Sequence, residues 1–481
     1  MRDNPNPATN ATEASGLLAA LEVQRAAFRA DMMPGAALRI DRLNRLGALL
    51  EQNAADLAQA ISQDFGHRST HETRLAELLI LGGTIRHAKR HLKRWMAQRS
   101  APTALHFRPG RNRLIRQPLG VVGIVAPWNY PLQLTLAPAI GALAAGNRVM
   151  LKPSELTPRL SALLERLIAA SFAPDEMLVV NGDAETGRAF TGLPFDHLVF
   201  TGSTQVGRKV AVAAAQNLTP VTLELGGKSP AIIDESCDLA MAAPRLMVGK
   251  LLNAGQTCIA PDYVLVPRGS AEAAAEALRQ AAEALYPTLA TNPDYTSIIS
   301  DRHYARLRAL LDDAKAKGAV LIAANRDAEV LPDVLRKLAP TLVLGATPAM
   351  DLMCEEIFGP ILPIVEYDRL DDAIAFINDR DRPLALYWFG RDHANRDRVL
   401  AETISGGVTI NDCLWHIAQE EQPFGGVGPS GMGAYHGEWG FRAFSKEKPV
   451  FIQSKLAGTA LLRPPYGRMF ERMLRILHKI A

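Results

Sequence analysis

Residues 119–152, LGVVGIVAPWNYPLQLTLAPAIGALAAGNRVMLK, decide the fold. From Pro118 to Asn147 the chain carries no charge, a length that could cross a bilayer. Pro118, Pro127, Pro131 and Pro138 each remove a backbone donor, and Asn129 and Gln133 would be polar in lipid. The stretch therefore reads as a buried strand, a stiff loop, a helix and a second strand. Downstream, MLVVNG, HLVFTGS, PVTLELGG and SPAIID repeat the pattern: short β-branched runs bounded by Gly, Pro or Ser, with helical segments between them. That alternation predicts a mostly parallel α/β sheet. A second series, YVLVP, PTLVLG, ILPIVEY, LALYWFG and GVTIND, with helices expected at 271–285 and 302–317, predicts a second α/β domain. The change-over falls near Leu225–Lys228.

Outside these domains other patterns hold. Leu43, Leu46, Leu49, Leu50, Leu57 and Ile61 recur at helical spacing, so the first hundred residues are expected to be amphipathic helices. RNRLIRQPLG alternates charged and apolar residues as an antiparallel strand does, and KPVFIQS near the end can pair beside it. The glycine-rich PFGGVGPSGMG (423–433) has no strand-to-helix context and reads as turns.

The chain has 481 residues, 48% hydrophobic and 21% charged, as expected of two large globular domains plus a smaller element. A net charge of +3 offers no overall electrostatic footprint for nucleic acid. Its four cysteines, Cys237, Cys258, Cys354 and Cys413, form no Cys-x-x-Cys pair, which excludes a disulfide scaffold and a thiolate metal cage. Residues 1–15 are polar, without a secretory apolar core, and read as a loose arm; a cytoplasmic location is expected. In RHAKRHLKRW (86–95), His87 and His91 stand one helical turn apart. With no acidic third ligand nearby, the segment is read as a solvated basic face and no metal is assigned. Arg468–Ile480 forms a basic amphipathic helix, suited to an anionic membrane surface but expected to pack against the protein.

Chemistry concentrates in a few places. Cys258, in NAGQTCIAPDY, sits among small and polar residues that suit a loop and could leave its sulfur open. A cysteine that forms an acyl intermediate needs an oxyanion donor and, to turn over with water, a general base. Asn129, on the stiff PWNYP loop, suits the first role; Glu224, at a strand end before two glycines, suits the second. FTGSTQVG (200–207) follows a strand and opens a helix, so its amides and Ser203 could meet a pyrophosphate. LKPSE supplies Lys152 and Glu155 for a ribose.

In order, PWNYP, KPSE, FTGS, LELGGK, NAGQTC and EEIFGP resemble the NAD(P)-dependent aldehyde dehydrogenase superfamily. CIAPDY, PFGGVGPSGMGAYHG and RPPY look like its class 3 branch, most like the bacterial coniferyl-aldehyde group. The resemblance implies a Rossmann-like cofactor domain (16–102 and 119–223), a catalytic domain (224–430), a β bridging and oligomerisation arm (103–118 and 431–457) and a tail (458–481). It implies Cys258 as nucleophile, Glu224 as base and Asn129 as oxyanion donor. For the cofactor it implies Lys152 and Glu155 at the adenosine ribose, Ser203 at the pyrophosphate, Glu356 at the nicotinamide ribose and Phe358 beside the ring, with Trp128 and Gly202 also cofactor-binding. NAD is the implied cofactor, with NADP also accepted, and a homodimer the implied assembly. The implied substrate is an aldehyde, an arylpropenal favoured over a medium-chain alkanal, in a pocket with Tyr130, Trp415 and His416. A non-redox cysteine acyl hydrolase would leave KPSE and EEIFGP unexplained, and a catalytically silent binding protein would not need Cys258, Glu224 and Asn129 together.

Overall fold

The computed structural model describes residues 7–457, 459 and 462–480. Three sheets organise them. The first has six strands in the order Gly431–Met432, Val221–Glu224, His197–Thr201, Val121–Val125, Arg148–Lys152 and Met177–Val179. All pair in parallel except Gly431–Met432, which is antiparallel. The second has seven, in the order Val320–Ala323, Thr341–Leu344, Ile361–Tyr367, Tyr263–Pro267, Pro230–Ile233, Ala385–Phe389 and Gly407–Ile410. It too is parallel but for its first strand. Arg99–Ala101, Arg111–Pro118 and Ser445–Ile452 make a small antiparallel sheet. The two-domain α/β architecture with a β arm is as the sequence predicts.

Residues 119–152 behave as read: Val121–Val125 and Arg148–Lys152 are adjacent parallel strands, and Gln133–Ala145 is a helix buried on almost every side. Because that helix is surrounded, it is apolar all round without being a membrane span. Its Pro138 lies inside the helix rather than ending it. The expected helices appear as Ala271–Leu285 and Asp301–Ala316.

Four differences stand out. The segment 1–15 is not a loose arm where it is described, since a helix runs from Pro7 to Ala30; residues 1–6 lie outside the described residues. Arg99–Ala101 joins the small antiparallel sheet instead of the cofactor domain. Gly431–Met432, placed in the arm and read as turns, instead extends the six-stranded sheet beside Leu223 and Glu224, where its short backbone caps an open strand edge. The helix Arg468–Ile480 forms, but none of its described residues is buried: Phe470, Met473 and Leu477 are half-buried, and Met469 and Ile476 are more than half exposed. Its apolar face, Phe470, Met473 and Leu477, is thus covered only in part, less than the packing expected from the sequence.

Candidate active site

Four segments with candidate residues leave the carboxyl ends of four neighbouring parallel strands: Pro127–Asn129, Lys152–Glu155, Gly202–Ser203 and Glu224. The chain builds outward from Val121–Val125 in one direction and then in the other, so a crevice opens between the ends of Val121–Val125 and His197–Thr201. That is where open α/β sheets take ligands. A cleft of about 540 Å³ lies there, lined by Trp128, Asn129, Gly202, Ser203, Glu224, Cys258, Glu356 and Phe358. Eight of the ten predicted residues therefore meet in one place. Lys152 and Glu155 do not line it. Lys152 is buried, its Nζ donating to the carbonyls of Pro153 (2.9 Å) and Gly182 (2.8 Å), while Glu155 is exposed in the turn beyond.

Cys258 reaches the cleft from a loop with a distorted backbone. Asn253 and Ala254 have φ of 55° and 51°, conformations that cost energy for residues with a Cβ. Gly255, at φ 77°, comes so near Gly359 that a Cβ would lie 2.3 Å from its carbonyl oxygen. The sequence suggested a polar loop around the sulfur, but Asn253 and Gln256 are fully buried. The Gln256 amide donates to the carbonyls of Asn253 (3.0 Å) and Ser297 (3.1 Å) and accepts from the amide of Ile299 (3.0 Å). Its own carbonyl accepts from Nδ2 of Asn129 (3.1 Å) and of Asn253 (3.2 Å). One Asn129 N–H thus fixes the amide plane on the loop that carries the cysteine.

Beneath both loops lies a charged layer that local sequence patterns do not reveal. Arg68 and Glu77 pair at 2.9 Å with both side chains fully buried, and the Arg68 guanidinium also donates to the Asn129 carbonyl (3.0 Å). Glu77 accepts from the amides of Leu132 (2.8 Å) and Gln133 (3.0 Å), Glu72 from the amide of Asn253 (3.1 Å) and the hydroxyl of Thr296 (3.0 Å). Lys228, from GGK, pairs with Asp262, from CIAPDY, whose other oxygen accepts from the amide of Ile357 (3.0 Å). The EEIFGP loop is anchored that way. His303 also lines the cleft, its ring 5.0 Å from that of Trp128. The substrate-wall assignments fare less well, because Tyr130, Trp415 and His416 do not line the cleft. Tyr130 is buried on Thr257 (2.7 Å), Trp415 is half exposed, and His416 bonds Thr409 (2.8 Å) and stacks on Phe424.

The titrating groups are set by burial. Glu224 is buried, neither carboxyl oxygen has a hydrogen-bond partner, and desolvation holds its pKa well above the usual carboxylate range. The Cys258 thiol is pushed up to about 12, first by burial and then by the charges of Glu356 and Glu224. Glu356 rises to about 8, chiefly by burial and next by Asp262. A Cβ on Gly226 would lie 2.1 Å from the Glu356 carboxylate, so only glycine lets that side chain in.

These residues also fit a dinucleotide. Ser203 caps the helix Thr204–Ala215, accepting from the Val206 amide (3.4 Å), and Thr204 and Gln205 of its first turn line the cleft, the usual setting for a phosphate. Glu356 keeps a buried oxygen without a partner, ready for a hydroxyl. Phe358, at φ 53°, stands edge-on to Trp128 with ring centroids 5.4 Å apart.

A thiol, a carboxyl and a fixed side-chain amide around a dinucleotide cleft define an enzyme of covalent aldehyde chemistry. The chain belongs to the aldehyde dehydrogenase family, which it matches over residues 8–450. It is 50% identical over 460 residues to a probable coniferyl aldehyde dehydrogenase of Caulobacter vibrioides, covering 94% of this chain and 95% of that one. Among solved structures, the substrate-bound Staphylococcus aureus AldH superposes with a TM-score of 0.90 at 38% identity, over 95% of this chain and 99% of the other. A Mycobacterium tuberculosis aldehyde dehydrogenase complexed with NAD+ superposes with 0.80 at 30% identity, over 91% and 90%.

Proposed function

We propose that this enzyme oxidises an aromatic aldehyde of the arylpropenal type, coniferyl aldehyde being the reference compound, to its carboxylate with NAD+, and acts as a cytoplasmic homodimer. The observation that carries the chemistry is the meeting of Cys258, Glu224 and Asn129 in one cleft with Ser203, Glu356 and Phe358. The half-identical coniferyl aldehyde dehydrogenase relative supports the substrate class, and the NAD+ complex of the M. tuberculosis enzyme supports the cofactor.

An aldehyde carbon donates hydride only once it is tetrahedral and bears an alkoxide. Cys258 adds to the carbonyl through sulfur, its thiol proton passing to solvent water, and forms a thiohemiacetal alkoxide. Asn129 Nδ2 and the Cys258 backbone N–H hold the oxyanion, the contribution that makes such sites effective. When bound, NAD(P)+ supplies the hydride acceptor. The alkoxide then collapses to a thioester on Cys258. Glu224 takes a proton from water, the water oxygen attacks the acyl carbon, and the Cys258 thiolate leaves with the carboxylic acid as product. Ser203 and the first turn of its helix would hold the pyrophosphate, Glu356 the nicotinamide ribose, and Trp128 and Phe358 the ring's flank. Lys152 and Glu155, outside the cleft lining at the end of the neighbouring strand, would meet the adenosine ribose, where the Glu155 carboxylate would disfavour a 2′-phosphate.

NADH formation with coniferyl aldehyde and with a medium-chain alkanal tests the reading. The expected result is a higher kcat/KM for the arylpropenal and for NAD+ over NADP+. A preference for the alkanal would replace the substrate class, and turnover without NADH would replace the reaction. An unaltered NAD/NADP ratio in Glu155→Gln would remove Glu155 from the cofactor site.

A further inference from the structure

His87 and His91 were read from the sequence as a solvated basic face because no acidic ligand is near them along the chain. The fold supplies one. Glu421, from the loop between the strand Gly407–Ile410 and Pro423, places a carboxylate oxygen 3.8 Å from Nε2 of His87 and 3.9 Å from Nε2 of His91. One ligand atom from each of the three lies within 4.8 Å of the others. Distances of 3.8 and 3.9 Å are too long for hydrogen bonds. They are close to the separation of two ligands that share a tetrahedral zinc, about 3.3 Å for bonds near 2.0–2.1 Å.

The arrangement is held in place on both sides. The two imidazoles lie one turn apart on the helix Ile80–Met96 with centroids 4.3 Å from each other, and each packs on the Trp95 ring, at 5.6 and 5.8 Å. Their side chains are 13% and 19% exposed, so their rings are confined, whereas Glu421 is 69% exposed and can close by a few tenths of an ångström. The loop is tied to the same helix one residue earlier: Glu420 accepts from the Thr84 hydroxyl, and its other oxygen accepts from the Gly437 amide (3.0 Å). Two carboxylates, Glu420 and Glu421, favour positive charge at His87, against His91 and Arg90. Two imidazoles and a carboxylate are the donors of a zinc-class ion, and the exposed side leaves a fourth position to water.

We propose that His87, His91 and Glu421 form a binding site for a zinc-class divalent cation, separate from the Cys258 cleft, which clamps the loop before Pro423 to the helix Ile80–Met96. That loop continues through Phe424 into Gly431–Met432, the strand beside Glu224, so the ion ties down one end of the segment that borders the active site.

The test uses the full-length protein in a Cys258→Ser, Cys354→Ser background, which removes the cleft thiol and the exposed one, with Co2+ and Zn2+ alone as probes. Bound Co2+ should give a visible ligand-field band at one ion per chain that Zn2+ displaces, and Zn2+ should raise Tm, as any ligand selective for the folded state does. Both effects should be lost in His87→Gln and His91→Gln and weakened in Glu421→Gln. Because Glu421 is exposed, its variant serves where a histidine variant folds poorly. Absence of the band in the Cys258→Ser, Cys354→Ser protein, or a band and a Tm shift unchanged by Glu421→Gln, overturns the proposal.

Discussion

Cys258 sits where burial and two carboxyl groups work against its ionisation, with the thiol pushed up to about 12. A nucleophile so placed would depend on its neighbours, and the residues that the sequence offers for those roles share its cleft: a lone cysteine in a Gly/Asn loop, a strand-end glutamate and an asparagine between prolines needed no structure to be suspected. Cys258→Ala is expected to abolish aldehyde oxidation while fluorescence titration still shows NADH binding; residual turnover would give the covalent step to another group. Glu224→Gln is expected to leave a pre-steady-state burst of NADH followed by slow turnover, because only hydrolysis needs the base. Since the Glu224 pKa is raised, its basic form gains population as pH rises, so wild-type thioester hydrolysis should climb with pH and the climb should vanish in Glu224→Gln. A variant lacking the burst would place Glu224 before hydride transfer. Glu356 predicts a stability effect of definite sign. Folded, it holds its proton up to about pH 8, whereas unfolded it loses it near the ordinary carboxylate value, so the folded state binds more protons between these limits and stability falls as pH rises. Glu356→Gln should flatten that fall, raising stability above pH 8 by up to about 5 kcal/mol in urea titrations, while weakening cofactor binding. An unchanged slope would show that the carboxyl ionises normally.

At the scale of elements, the loop residue Arg68 and the helical residues Glu72 and Glu77 that follow it do more for the site than their sequence reveals. Charged residues at these spacings look like the wet side of a helix, because charged side chains are seldom fully buried. Arg68, Glu72 and Glu77 are buried nonetheless, and the partners that make this tolerable, the Asn129 carbonyl for Arg68, the Asn253 amide for Glu72 and the amides of Leu132 and Gln133 for Glu77, lie far along the chain. Long-range partners of this kind are what strand and helix patterns cannot report, and Glu421 beside the histidine pair escaped for the same reason. The strand series, by contrast, was legible because each buried strand announces itself locally: VVGIVA and the VML between Arg148 and Lys152 are uninterrupted uncharged runs rich in apolar residues, as a parallel sheet covered on both faces requires. Arg68→Met would leave Glu77 as a buried charge without its cation and is expected to cost about 3–5 kcal/mol. Glu72→Gln is milder and more informative. It keeps the shape but weakens the hold on the Asn253 amide, so kcat should fall with KM for NAD+ nearly unchanged; an equal rise in KM would show that the whole cleft had shifted.

At the scale of the molecule, the small antiparallel sheet stands out. Arg111–Pro118 and Ser445–Ile452 pair along eight residues, from Ser445 opposite Pro118 to Ile452 opposite Arg111, so the alternation read from RNRLIRQPLG is realised in register. The strand Ser445–Ile452 is the outer one, with Arg99–Ala101 on the far side of its partner. An outer strand has an unpaired row of backbone donors and acceptors, and soluble proteins usually blunt such edges with charge, proline or cover. Here the first half is guarded by Lys446, Glu447, Lys448 and Pro449, while the last residues, Phe451 and Ile452, are 45% and 43% exposed. Exposed apolar side chains at an unpaired edge are costly in a monomer and useful at an interface between copies, which agrees with the homodimer implied by the resemblance. Replacing both Phe451 and Ile452 with lysine changes only exposed positions at the end of the strand, so the domains should fold as before. Sedimentation velocity at micromolar concentration should give a dimer for the wild type and a monomer for the double variant; a wild-type monomer, or a double variant that still dimerises, would move the interface away from this edge.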